Sequence, residues 1–363
     1  HFDYHSIEGR MTKLDILGHD DPTIIRMLED LTGIDAKTIP FDDPRTLSLF
    51  SSTEGIGLTP EQLQGDQVAS LAVPECGTKF VRGMLEDSRP QTFSDLVRIS
   101  GFSHGTNVWL DNAQDLIKNG TCKLNEAIST RDDVMNFLIH RGMDRKHSFF
   151  VMENVRKGKG IEKRNKQGQA TTEFEAEMRE NNIPEWFIDS CKKISYLFPR
   201  AHAVAYVMMA FRIAWFKVYH PLAFYAAYFS IRAKAFDLRI MTGDLKTQMT
   251  EFNRIKALDR GASPKDKDLM SALEVSMEMY QRGYRFVNVD IQHSEARRFS
   301  IKDGALLPPF LAIDSLGETV ADAIVAEREE RPFTSLKDLQ RRCKVSNTII
   351  DLMKELKCCG ELP

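Results

Sequence analysis

One aspartate stands inside an apolar run. In the stretch KLDILGHDDPT, Asp15 lies between Leu14 and Ile16, with Lys13 at the mouth of the run. A carboxylate in a strand-like segment is disfavoured by propensity and costly to bury unless a cation or hydrogen bonds compensate it. Asp15 is therefore one of two things. It is a structural acid that pairs with Lys13 or caps the helix that follows, or it is a ligand for a hard divalent cation such as Mg2+, which takes carboxylate oxygens and shares them with substrate phosphates. One aspartate does not complete a two-metal site, and no second acid-x-acid pair on an apolar strand is evident.

Three further groups carry chemistry of an anion-binding kind. In FPRAHAVAYVMMAFRIAWFKVYHP, Arg200 and His202 open a long apolar helix, where free N–H groups and the helix dipole attract negative charge. Upstream, VRKGKGIEKRNKQGQATTEF sets Arg156, Lys157, Lys159, Lys163, Arg164 and Lys166 against Glu162 alone before helical text resumes; a block this basic is expected to be mobile unless an anion orders it. The stretch SGFSHGT, with Ser103, His104 and Thr106, reads as a weak phosphate loop or, more simply, as a helix-terminating turn. The tail holds two similar units: PPFLAIDSLGETVADAIVAERE reads as an apolar helix, a turn containing Gly317 and a second helix from about Thr319, and FTSLKDLQRRCKVSNTIIDLMKELKCCGEL repeats the plan with a polar turn near Val345 to Asn347. Such hairpins aim backbone N–H groups at a phosphate and hold a duplex without reading its sequence, or they form a helical protein-binding module.

The elements that must position these residues follow from periodicity. His1 to about Leu17 reads as strand-like, and DDPTIIRMLEDLTG as a helix with Pro22 in its first turn and Gly33 as its stop. Pro40 to Pro74 reads as loops joining short helices. Thr78 to Ala235 is almost wholly helical, and the helix opened by Arg200 is apolar nearly all round, as a buried central helix is. LDRGASPKDKD, Leu258 to Asp268, reads as a linker, followed by a helix, a β-rich piece from Tyr284 to Phe310 that alternates like a half-exposed sheet, and the helical tail.

Bulk composition bounds the class. The 363 residues suffice for two or three domains with real cores. A formal charge of -3 does not steer polyanions, so any nucleic acid must be met by local basic patches. Six scattered cysteines without a CxxC point to a reducing compartment and no zinc site. No unbroken run of about 18 apolar residues occurs, and the start is not signal-like, so a cytoplasmic protein is expected. The sequence begins in mid-pattern without a methionine and reads as a piece of something longer.

Together these residues resemble the bacterial family C replicative DNA polymerases, the polymerase III alpha subunits, and above all their PolC-type branch. HFDYHSIEGRMTKLDILGHDDPTIIRML, FSSTEGIGLTPEQ, SRPQTFSDLVRISGFSHGTNVWL, VRKGKG and FPRAHAVAYVMMAFRIAWFKVYHPLAFYAAYF carry the resemblance, which runs from end to end of the chain. It implies a mainly α fold with small β elements (α+β): residues 1–50 the end of a polymerase palm, 51–262 helical fingers, and 263–363 a duplex-binding region with tandem helix-hairpin-helix. It implies template-directed DNA synthesis by two-metal catalysis with Mg2+. Asp15 then becomes the third of three metal carboxylates, with Lys13 beside it near the incoming nucleotide. Arg156, Lys157, Lys159, Arg200, His202, Ser103, His104, Thr106 and Arg131 fall at nucleotide-facing positions, and Gly317, Thr319, Ser346 and Asn347 at duplex-facing ones. The implied partners are primer-template DNA, an incoming dNTP, and a sliding clamp with other replisome subunits, but no membrane.

The sequence also departs from the family pattern. The other two metal aspartates, the thumb, the polymerase-and-histidinol-phosphatase domain and the exonuclease of full-length members are not in this text, and no clamp-binding peptide is seen after Pro363. The basic text from Lys163 to Gln169 is longer than the resemblance leads one to expect. The chain thus reads as a carboxy-terminal portion, inactive alone. Two rivals stand beside this reading. A non-catalytic helix-hairpin-helix DNA-binding scaffold has no need of Asp15, and a metal phosphatase requires clustered His and acid ligands, whereas the nine histidines show no ligand spacing.

Overall fold

A computed structural model describes residues 3–7, 10–12, 18–161, 163–164, 170–360 and 362. Asp15 and Lys13 lie outside the described residues. The amino-terminal text is not wholly extended: Tyr4–Ile7 is a short helix, begun by Asp3, whose carboxylate accepts the Ser6 N–H at 3.0 Å.

The helix expected after Asp15 runs Asp21–Thr32, with Pro22 in its first turn and Gly33 in the left-handed region at φ 71°. Its Ile24, Met27 and Leu28 are buried. Short helices at Pro44–Ser48 and Glu54–Ile56 break the loops that follow. The helical body then comprises Lys79–Ser88, Phe93–His104, Arg131–His140, Arg145–Arg156, Glu173–Glu180, Glu185–Lys193 and the 20-residue Arg200–Tyr219. Between them Lys163–Arg164 pairs antiparallel with Ala170–Thr171, while Glu162 and residues 165–169 of the basic block, Lys166 included, lie outside the described residues.

The Arg200–Tyr219 helix is apolar all round because it serves two cores. Ala203, Val207, Ala210, Phe211, Ala214 and Val218 pack into the helices preceding it. Ile213 and Phe216 belong instead to a second core, which also takes in the Asp21–Thr32 and Pro264–Gln281 helices and the Phe286 and Phe299 rings. By length and composition this helix could cross a membrane, yet half of its apolar window is buried inside the protein. A core helix passes the same test.

The stretch read as a linker is compact. Asp259–Gly261 makes one 3-10 turn, and Ser263 caps the Pro264–Gln281 helix with a reciprocal Asp266 bond. Phe252 and Ile255 before it and Ala272, Leu273 and Val275 after it share one core. The β-rich piece is smaller than its alternation suggests: Ser300–Lys302 pairs with Ala305–Leu307, and Phe286 bridges to Leu306. In the tail, the extended Ile313 and the positive φ of Ser315 confine PPFLAID to a 3-10 turn at Phe310–Ala312 where a helix was expected. The helices Glu318–Glu330, Leu336–Cys343 and Asn347–Glu355 then close a third core around Phe310, Leu339 and Met353.

Candidate functional site

A short extended segment, Ser195 to Pro199, leads into the Arg200–Tyr219 helix and serves as the frame of the site. Three distant pieces of chain hydrogen-bond to it. Thr106 pairs with Tyr196, its N–H donating to the Tyr196 carbonyl at 3.0 Å and its carbonyl accepting from Ser195 N at 3.0 Å. Leu197 N donates to the Arg156 carbonyl at 3.4 Å, and Arg131 N donates to the Phe198 carbonyl at 3.1 Å. Two glycines permit these approaches. A Cβ on Gly158, which sits at φ +66°, would lie 2.5 Å from the Ser195 carbonyl oxygen, and one on Gly101 would lie 2.6 Å from that of Ser129. No ordinary side chain fits at such distances.

The frame thus gathers most of the residues that the sequence assigned to an anion: Thr106, Arg131, Arg156 to Lys159, Arg200 and His202. Several of their charges are already engaged. Arg200 N donates to Asp132 Oδ2 at 2.9 Å, and the Arg200 guanidinium pairs with Asp133. Asp133 is the buried centre of this corner. One of its oxygens accepts from the backbone N–H and hydroxyl of both Ser129 and Thr130 at 2.7–3.0 Å, and Arg98 lies 3.4 Å from the other. Burial pushes the Asp133 carboxyl up, but Arg98, Arg200 and these donors outweigh it and hold the acid below its usual value. Arg156 and Lys157 both pair with Glu153, at 2.8 and 3.0 Å; Arg156 foremost, against a smaller opposing effect of burial, pulls the Glu153 carboxyl down to about 2. Arg131 and Lys159 have no acid partner among the described residues.

Ser100 to Thr106 is the end of a helix and not a free loop. Phe93–His104 continues through Ser103, and Gly105 follows it as the cap. Both ring nitrogens of His104 are engaged: its Nε2 meets Glu75 Oε2 at 2.9 Å, and its Nδ1 lies 2.8 Å from the Ser100 carbonyl and 3.0 Å from Ser103 Oγ. The Glu75 contact raises the imidazole's pKa against the opposing effect of burial, so His104 holds its proton more tightly than a free histidine. From His104 a row of rings runs through Phe198, His202 and Tyr206 to His19, with centroids 4.4–4.9 Å apart at each step. His202 is therefore a half-buried ring, edge-on to Phe198 and tilted against Tyr206.

Sequence reasoning missed Asp133, Glu75, His19 and Asp21. Asp133 was legible in part, because TRDD is a capping box of the kind that opens a helix. In the tail, Gly317 and exposed Thr319 open the Glu318–Glu330 helix, whose first turn carries Glu318. Exposed Ser346 caps the Asn347–Glu355 helix, whose first turn has no acid, and Lys344 sits in the left-handed region just before it. Of the two helix starts, only the first thus carries an acid.

Residues 21–182 match the family described as the bacterial DNA polymerase III alpha subunit finger domain, and residues 283–362 match the helix-hairpin-helix motif. The whole chain is 53% identical to the PolC-type DNA polymerase III of Caldanaerobacter subterraneus. It is 52% identical to those of Bacillus subtilis and Thermotoga maritima. In each case all of this chain aligns, and it spans only about a quarter of the relative's length, 25%, 25% and 26% in turn.

Proposed function

We propose, for a chain that belongs as a portion to the PolC-type family of bacterial DNA polymerase III, that it supplies the fingers and duplex-binding parts of a replicative DNA polymerase. The observation that carries this reading is the frame at Ser195 to Pro199, which brings Arg131, Arg156, Lys157, Lys159, Arg200 and His202 to the open end of the central helix. Phosphoryl transfer asks the protein for positioning and charge neutralisation, not for a nucleophile. In this reading residues 1–50 complete a palm, 51–262 are fingers and 263–363 grip duplex DNA.

Among the described residues, Arg131 and Lys159 have no acid partner and are the cations left to meet a triphosphate directly. Arg200, tethered to Asp133, orients the helix start and presents its remaining N–H groups. Ser103, His104 and Thr106 shape the wall beside them. Carboxylate oxygens such as those of Asp15 suit Mg2+, and the ion, when bound, would offset charge on the phosphates. A sliding clamp and other replisome proteins are further partners in the same reading.

Arg200→Ala in the full-length protein tests the nucleotide site. One charge-assisted contact to phosphate is worth roughly 1.5–3 kcal/mol, so kcat/KM for dNTP should fall about ten- to a hundredfold while the Kd for DNA holds. Unchanged kinetics with a lowered Tm would reduce Arg200 to a structural partner of Asp133. The duplex-binding role has its own test in the hairpin at Ser346 and Asn347. Backbone cradling of phosphates predicts duplex affinity that ignores sequence and falls steeply with salt, measured by fluorescence anisotropy on two unrelated duplexes. Binding that is flat in salt would count against it.

A further inference from the structure

We propose that His19, Asp21 and Glu75 form a binding site for one divalent transition-metal ion of the Zn2+ or Mn2+ kind. A ligand atom from each residue lies within 4.8 Å of those of the other two. Two unrelated pieces of chain build the cluster: His19 and Asp21 stand at the start of the Asp21–Thr32 helix, and Glu75 comes from the loop before Lys79, where its own φ is 64°.

The independent sign of a ligand is Asp21. Its side chain is 0% exposed, and neither carboxylate oxygen has a hydrogen-bond partner among the described residues. The basic groups nearest Asp21 are Arg232 Nη1 at 3.8 Å and His19 Nδ1 at 3.5 Å, both beyond hydrogen-bonding reach, while Asp20 and Glu75 add like charge. A buried carboxylate without donors is costly, and a cation on its oxygens would supply what the protein does not. The Asp21 N–H lies 3.2 Å from His19 Nδ1, so a metal taking that nitrogen displaces only one long hydrogen bond.

The surroundings of the cluster fit a metal. Glu75 is held through Oε2 by His104 at 2.9 Å, an outer contact of the sort that fixes metal-bound carboxylates. Tyr206 packs on the His19 ring at 4.8 Å. Glu75 and Arg232 both line a cleft of about 820 Å³ that opens to solvent and gives an ion its way in. The mixed nitrogen and oxygen donors favour Zn2+ or Mn2+ over Mg2+, which prefers an all-oxygen shell. The positive groups facing the cluster are Arg232 and His104. His104 is spent on Glu75, and Arg232 stands 3.8 Å from Asp21 Oδ1, so together they offset only part of the charge of the two carboxylates.

Titration of the chelator-stripped full chain with Co2+ as a spectroscopic probe, and with Zn2+ followed by metal analysis, tests this. Wild-type protein should take up one equivalent that resists an excess of Mg2+. In Glu75→Gln and Asp21→Asn that equivalent should be lost or its Kd raised at least about tenfold. Equal uptake by wild type and Glu75→Gln, displacement by Mg2+, or no saturable uptake by wild type would each overturn the site. Asp21→Asn alters a buried position, so circular dichroism checks its fold, and Glu75→Gln, at the edge of the cleft, decides if it fails to fold. The readout is metal uptake, so failure leaves the nucleotide site untouched.

Discussion

Asp15→Asn in the full-length protein should abolish nucleotide incorporation while leaving the melting temperature nearly unchanged. Asparagine keeps the size and one carbonyl oxygen of the side chain, but it removes the negative charge that a hard cation requires. A structural acid paired with Lys13 would give the reverse, a loss of stability with activity retained. If Asp15 holds a metal in phosphoryl transfer, its loss should cost more than the roughly 10²–10³-fold typical of one electrostatic donor. Primer extension and thermal melts of the same preparations separate the two outcomes. The flanking structure is suited to either role, because Gly18 to Asp20 run directly into a helix whose Ile24, Met27 and Leu28 are anchored in a core. That anchoring fixes the position of whatever precedes it.

Local signals were the legible ones. Pro22 at the start and Gly33 at the stop of Asp21–Thr32 are backbone rules that act within a few residues, and the structure obeys both. The apolar text after Arg200 likewise announced a core helix. Its division between two cores was not legible, because which face meets which neighbour depends on helices up to 190 residues away in the chain. The PPFLAID stretch misled for a different reason: its apolar content suits a helix, but the extended Ile313 and the left-handed Ser315 end it after the single 3-10 turn Phe310–Ala312. SGFSHGT follows its simpler reading as a helix-terminating turn, the helix ending at His104 with Gly105 as its cap. Gly101 is small because the Ser129 carbonyl presses on it, and the helix continues regardless. Of the candidate site, the cations at the frame were visible as composition. Their acid partners, Asp133 and Glu153, and the pairing of His104 with Glu75 were visible only as unremarkable acids, since an ion pair leaves no periodic trace in a sequence.

Lys217 is the clearest case of a partner invisible in the text, and breaking its contacts should produce the largest loss of stability in the chain. It sits in the apolar helix with no solvent exposure. Its ammonium spends all three protons, on the carbonyls of Ala69 at 2.8 Å and Leu71 at 2.7 Å and on Glu278 Oε2 at 2.8 Å. The other oxygen of Glu278 accepts the Tyr225 hydroxyl at 2.7 Å, and Arg282 donates to both Tyr225 Oη and the Lys217 carbonyl. The network fastens the loop at Ala69 to Leu71 and the Pro264–Gln281 helix to the central helix. Removing one member of a buried pair strands the other charge, so Lys217→Met and Glu278→Leu should each cost about 3–5 kcal/mol. The double variant should cost less than the two together, because it strands no charge, but not nothing: the carbonyls of Ala69 and Leu71 would lose their donor. Additive losses in urea unfolding would mean that the pair is not coupled. Burial pushes Lys217 down to about 8 against the pull of Glu278. With the native value below the ordinary lysine value of about 10.4, the unfolded chain holds more protons between these limits, and the stability contributed at this position rises with pH across that window. Set against Lys217→Met, wild-type protein should gain stability from about pH 8 to 10. A shrinking gap would show that the attraction of Glu278 outweighs burial and holds the native lysine above its ordinary value.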